Sequence, residues 1–152
     1  LEKKSYSQQL RFLQNQSFGI ADFYSHNLNK LGHKAFDSIA NDEVLQHQWA
    51  SENNVYFPSP TLISKLQMFP FVHRFIGRPE WIQRITLEQI KHFSPDVVYV
   101  QDISILNPGT LDEIKKLTRL LVGQIASHMQ PEEKVKKYDL ILTSFPHFPP
   151  LL

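Results

Sequence analysis

The chain has no cysteine at all. Disulfides, thiolate metal sites and cysteine nucleophiles are therefore excluded, and the composition fits a reducing cytoplasm, which is the expected location. Glycine is scarce. Gly32, Gly77, Gly109 and Gly123 stand isolated among the 5 present, so there is no G-x-G-x-x-G turn and no Walker loop to cradle a phosphate. Long apolar runs are missing too: no stretch approaches the roughly 20 residues that span a bilayer, and residues 1–20 lack the apolar centre of a signal peptide. Neither sign of charge dominates. Lys and Arg number 16 against 15 Asp and Glu, a formal net charge of +1, and no nucleic-acid footprint is expected. The local basic run Lys134, Lys136, Lys137 is diluted by Glu132 and Glu133 and reads as a solvated helix face. There is no internal repeat, heptad array or low-complexity linker.

What remains is 152 residues, 41% of them hydrophobic, the length and composition of one domain with a core. Residues 5–31 read as helix in two pieces. Tyr6, Leu10 and Leu13 carry the first apolar stripe and Ile20, Tyr24, Leu28 and Leu31 the second, with Gly19 at the break and Gly32 as the stop. Residues 33–39 alternate weakly and predict a short strand. Asn41 or Asp42 caps a helix carrying Leu45 and Trp49. Residues 55–79, with Pro58, Pro60, Pro70 and Pro79, form an irregular excursion with a short helix near 61–68. Pro79 then opens a helix over 80–93, with Ile82, Ile85 and Phe93 inward.

Asp96-Val-Val-Tyr-Val-Gln101 is the clearest strand, a nearly continuous apolar run of the kind buried on both faces of a parallel sheet. The capping-box spacing of Thr110 and Glu113 opens a helix, Arg119–Ala126 is the next apolar run, Pro131 begins another helix, and Tyr138–Thr143 is a fourth strand. This alternation defines the expected fold class, α/β, with a Rossmann-like parallel sheet flanked by helices. A doubly wound sheet normally starts with a strand that becomes central. This sequence opens in a helix and stops after a strand, so it is expected to lack its first strand and to be cut at both ends.

Parallel sheets bind ligands beyond the carboxyl ends of their strands. The expected ends are Ala40-Asn41-Asp42, Gln101-Asp102, Ala126-Ser127-His128 and Ser144-Phe145-Pro146-His147, all polar.

Taken in order, several segments resemble one bacterial family. They are Phe18-Gly19-Ile-Ala-Asp-Phe-Tyr24-Ser, Leu31-Gly32-His33, Ala40-Asn41 with Leu45-Gln46-His-Gln-Trp49-Ala50, Pro95-Asp96-Val-Val-Tyr-Val-Gln-Asp102, Gly123-Gln124-Ile-Ala-Ser127 and Tyr138-Asp139-Leu-Ile-Leu-Thr-Ser144-Phe145-Pro146. The ordered set is similar to the start of glycosyltransferases of the spore-maturation (CgeB-like) type, which have a GT-B fold. The resemblance implies a nucleotide-sugar-dependent transferase built from two Rossmann-like domains across a cleft, the C-terminal one holding the donor nucleotide and the N-terminal one shaping the acceptor side. Residues 1–152 would be a single domain, part of that N-terminal half and inactive alone. The missing opening strand and the Pro149-Pro-Leu-Leu152 ending depart from the family pattern.

On this reading Asp102 and His128 are the catalytic candidates, and Asn41, Ser127, Ser144 and His147 bind the acceptor. Asp102 would orient an acceptor hydroxyl or take its proton; the alternative is a loop cap near Asn107-Pro-Gly109. His128 is a base or a phosphate-side donor, or an exposed loop histidine. No cofactor is expected, the nucleotide sugar and the acceptor being substrates of the complete enzyme. Self-association through an exposed sheet edge is expected as well. The 7 histidines show no ligand spacing to one another or to carboxylates, so no metal is expected, and Trp49 and Trp81 read as core.

The rival reading is a non-enzymatic α/β binding module or a receiver-like signalling domain. Pro95–Asp102 followed by Pro108-Gly109 suits a phosphoacceptor strand, but a receiver also needs an acidic pair after its first strand and a lysine after its last, and Thr143-Ser-Phe-Pro-His147 holds no lysine.

Overall fold

The computed structural model describes residues 4–16, 22–57, 78–125 and 130–144, and the chain divides into two compact units, residues 1–57 and 58–152. The short helix expected near 61–68 lies outside the described residues.

In the first unit α1 (Tyr6–Gln14) starts at Ser5, whose hydroxyl accepts from Gln8 N–H while the Gln8 side chain accepts from Ser5 N–H, a complete capping box. Helix α2 (Phe23–Lys30) stops where expected. Gly32 takes φ +89°, which lets His33 N–H reach Leu28 O and Gly32 N–H reach Asn29 O, both at 3.1 Å. Helix α3 (Glu43–Glu52) is capped by Asp42, not Asn41, through Leu45 N–H at 2.9 Å. It buries one face made of Leu45, Gln46, Trp49 and Ala50. Helices α1 and α3 pack together, and Tyr6 N–H donates to the Glu52 carboxylate at 2.7 Å.

Residues 33–39 are not a strand; this expectation is corrected. Their backbone and polar groups bond side chains instead of a ladder. The Asn29 amide accepts from Ala35 N–H and donates to Ala35 O (3.1 and 3.0 Å), Gln46 donates to Ile39 O (2.8 Å), and Asp37 accepts from Gln14 (3.0 Å) and Ser25. Asn and Gln side chains that satisfy the main chain in this way compete directly with sheet pairing.

The second unit holds the sheet. Helix α4 (Glu80–Phe93) follows Pro79 as expected and ends at Ser94 in a left-handed conformation, φ +47°. After it come β1 (Val97–Val100), α5 (Pro108–Leu117), β2 (Leu120–Ile125), α6 (Glu132–Val135) and β3 (Leu140–Thr143). The strands lie in the order β1-β2-β3, all parallel, with Val98 opposite Leu121 and Gly123 opposite Ile141. Helix α5 starts one turn earlier than the capping-box spacing implied. Asn107 is the cap, its side chain accepting from Thr110 N–H at 2.7 Å, with Pro108 in the first turn.

The central strand β2 carries the core: Leu121 and Ile125 are fully shielded and pack with Ile90, Val100, Ile103, Leu106, Leu111, Ile114 and Tyr138. Strand β1 was expected to be buried on both faces, yet Val97 is 51% exposed and only Val100 is buried. Among the described residues it pairs on one side only, so an outer strand of this sheet carries the apolar run expected of a central one. Gly123 permits close layering here. A Cβ at this position would lie 2.6 Å from Ile103 and 2.8 Å from Tyr138. At the opposite edge Asp139 N–H bonds Leu121 O, and its carboxylate accepts from Leu121 N–H and pairs with Lys115 at 2.7 Å.

The unit is thus α/β, a Rossmann-like parallel sheet flanked by helices, and among the described residues no strand precedes β1.

Candidate functional site

Strand β1 ends at Val100 and delivers Asp102 to the carboxyl edge of the sheet, followed by a tight turn. Ser104 N–H donates to Asp102 Oδ1 at 2.9 Å and Ile105 N–H to Asp102 O at 3.1 Å. Ile103 and Leu106 are buried and anchor the turn in the core. Gln83 of α4 clamps it from the side, donating to Ile105 O at 3.0 Å and accepting from Asn107 N–H at 2.9 Å. Asp102 therefore has both roles weighed for it. One oxygen organises the turn, and the side chain as a whole stays 54% exposed at the edge.

Two cations meet at this turn. Arg78, just ahead of α4, donates from Nη2 to Ser104 Oγ at 3.3 Å and stands 3.9 Å from Asp102 Oδ2. Lys134 of α6 is buried and donates from Nζ to Ser104 O at 3.0 Å. Burial pushes its ammonium down to about 8; the Asp102 charge opposes that and the Arg78 charge adds to it. Tyr138, one turn beyond Lys134, is buried too. Burial, with the Asp102 charge adding to it, raises its phenol well above the ordinary value. Arg78 Nε and the Tyr138 hydroxyl are buried and have no hydrogen-bond partner among the described residues.

Of the residues singled out in sequence, Asp102 and Ser144 lie just past the carboxyl ends of β1 and β3, on one edge of one sheet, and both are exposed. Asn41 is exposed in the turn ahead of α3 in the first unit and follows no strand. Ser127, His128 and His147 lie outside the described residues. Among the described residues no three His, Asp or Glu side chains gather as a metal site. Trp49 and Trp81 are core, as read.

Sequence reasoning missed Arg78, Ser104, Lys134 and Tyr138. Lys134 had been assigned to a solvated face. Lys136 does behave that way, pairing with Glu132 on the surface, whereas Lys137 is half-buried and pairs with Asp112 at 2.8 Å and Lys134 turns inward beside Val135. Nothing in the basic run itself distinguishes Lys134 from Lys136 and Lys137. Nothing in the sequence around Arg78 marked it.

The fold and edge define a parallel α/β domain with one exposed carboxylate set between a buried lysine and an arginine. Compared with known proteins, the chain matches no family model, no curated protein and no solved structure. Among the described residues no helix is long and apolar enough to cross a membrane.

Proposed function

We propose that the chain is the acceptor-side domain of a nucleotide-sugar-dependent glycosyltransferase, working in the cytoplasm, with the donor nucleotide bound by a second domain of the complete enzyme. Two things support this reading: the ordered resemblance of segments from Phe18 to Pro146, and the position of Asp102. The single observation that carries it is that Asp102 stands exposed beyond a parallel strand, its backbone fixed by the buried Ile103 and Leu106 and by Gln83. Ligands of parallel sheets lie at this edge, and a carboxylate there accepts the proton of an attacking hydroxyl or aligns it. Ser144 on the same edge offers a hydroxyl for the acceptor. In this reading Ser127, His128 and His147 keep the acceptor-side roles expected of them, while Asn41, which follows no strand, loses the ground for its role.

The test is sugar transfer by the chain fused to a donor-binding domain, with Asp102→Ala and His128→Ala beside the parent. Loss of kcat by about 10²–10⁴-fold in either variant identifies the base. Sugar transfer by residues 1–152 alone overturns the half-enzyme reading, and unchanged kcat in both variants removes the two residues from the chemistry. Beryllofluoride with magnesium separates the receiver-like alternative, in which Asp102 responds as a phosphoacceptor.

A further inference from the structure

The turn after β1 gathers more hydrogen-bond donors than acceptors. Arg78 spends Nη2 on Ser104 Oγ and on a long 3.9 Å approach to Asp102, and its Nε is buried and unpartnered among the described residues. Lys134 has three N–H donors and gives one to Ser104 O. The carboxylate of Asp102 accepts from Ser104 N–H and faces solvent, so it neither neutralises both cations nor satisfies their inward donors.

Counting formal charges, one arginine and one lysine face one aspartate. The remainder is a positive charge in a place where burying charge is costly unless it is paired.

We infer that Arg78 and Lys134 form a binding site for an oxyanion, the phosphoryl or carboxylate group of a small molecule, beside Asp102. The planar guanidinium and the ammonium are the two side chains that take such groups through charge-assisted hydrogen bonds. Both are tethered to the same residue, Ser104, one through its hydroxyl and one through its carbonyl, so they converge without needing to move. The oxyanion pairs with the Lys134 ammonium and holds it in its charged form. The inference stands on these donors alone and survives failure of the transferase reading. Where that reading also holds, the acceptor sugar carries an anionic substituent next to the hydroxyl that Asp102 orients.

The experiment is an amide-resolved NMR titration of the full chain with inorganic phosphate, with acetate and with potassium chloride at matched ionic strength. Saturable shifts centred on Ser104 and Ile105 with phosphate or acetate, and not with chloride, are expected. The stronger of the two arms assigns the site to phosphoryl or carboxylate ligands. Lys134→Met and Arg78→Gln are each expected to weaken the response by about tenfold or more. Asp102 and Arg78 face Lys134, and the acetate response should weaken from pH 7 to pH 9.5 as Lys134 loses its proton. Core amides at Leu111 and Ile114 report whether each variant is folded, and the titration of the parent chain decides the matter if a variant is not. A response equal to that of chloride, or one that both folded variants retain in full, overturns the site.

Discussion

In residues 58–152, Leu111, Ile114 and Leu121 are completely shielded from water and one apolar cluster joins α4, α5, β1 and β2. Among the described residues of 1–57 the buried set is smaller and mixed: Leu45, Trp49 and Ala50 share it with Gln9, Ser25 and Gln46, while Phe23, Leu31 and Tyr56 are 62%, 76% and 65% exposed. The first unit is pinned by side chains bonding to main chain and to Asp37; the second is held by apolar burial. A fully buried aliphatic side chain contributes about 1.5–3 kcal/mol, against about 1 kcal/mol net for a hydrogen bond. The sheet-bearing unit should therefore be the more stable and the last to exchange its amides. It is also the unit that carries Asp102. A rigid core beneath an exposed edge residue suits a site that must hold its geometry.

The comparison breaks most visibly at Leu111. Truncating this fully buried residue to alanine should cost about 2–5 kcal/mol and bring down the protection of β2 amides together with those of α5, read by urea melts and hydrogen exchange. An unchanged urea midpoint would mean that the apolar cluster is not what holds the second unit. Gly123→Ala probes the same layer from the other direction. Its new methyl meets Ile103, Tyr138 and Ile141 at 2.6–2.9 Å, and the expected cost is about 1–3 kcal/mol. Because Ile103 and Tyr138 flank the Asp102 turn, amide shifts should appear at Ser104 as well.

The next effect is smaller and depends on pH. Lys134 titrates at about 8 in the fold and near 10.5 when free, so between those values the unfolded chain binds more protons and stability rises with pH. The gain is about 1 kcal/mol once solvent screening is allowed for. Tyr138 works the other way above about pH 10, since its phenol keeps its proton longer in the folded chain. Urea midpoints measured from pH 7 to pH 10 should climb for the parent and stay flat for Lys134→Met.

How much of this was legible in the sequence differs between the same two regions. In the second unit the continuous run Val97–Val100 and the Gly123-bearing run at 120–125 announced strands, and Pro79 marked the start of α4 to the residue. In the first unit the weak alternation at 33–39 was misleading. A strand there would have needed its main-chain groups free, and Asn29 and Gln46, from neighbouring helices, had taken three of them. The candidate site divides in a similar way. Asp102 follows from its strand. Arg78 and Lys134 do not, because their meeting at Ser104 depends on how a loop 26 residues away in sequence, and a helix 30 away, return to one turn. Inward-facing lysine is rare enough that a basic run is read as solvated by default.

The smallest expected effect belongs to the hub of the first unit. Burial pushes the Asp37 carboxyl above its usual value, and the nearby Asp22 charge adds to this, while the bonds from Ser25 and Gln14 hold it back. An acid whose folded pKa is raised is penalised for ionising in the fold, so its contribution declines as pH rises from the unfolded value of 3.8 through the folded one and stays low at pH 7. Asp37→Asn removes that charge but keeps an oxygen for Ser25 and Gln14. The expected result at pH 7 is a change of less than about 1 kcal/mol, in the stabilising direction, with the acid dependence gone. Ser25→Ala should act oppositely, because it leaves the half-buried carboxylate with one donor fewer. Amide exchange in α1 and α2 reads both variants. Should Asp37→Asn instead loosen those helices, the ionised carboxylate is itself the pin, and the first unit is held by charge-assisted bonds of about twice the ordinary strength. The contrast with the apolar second unit would then be sharper than burial alone implies.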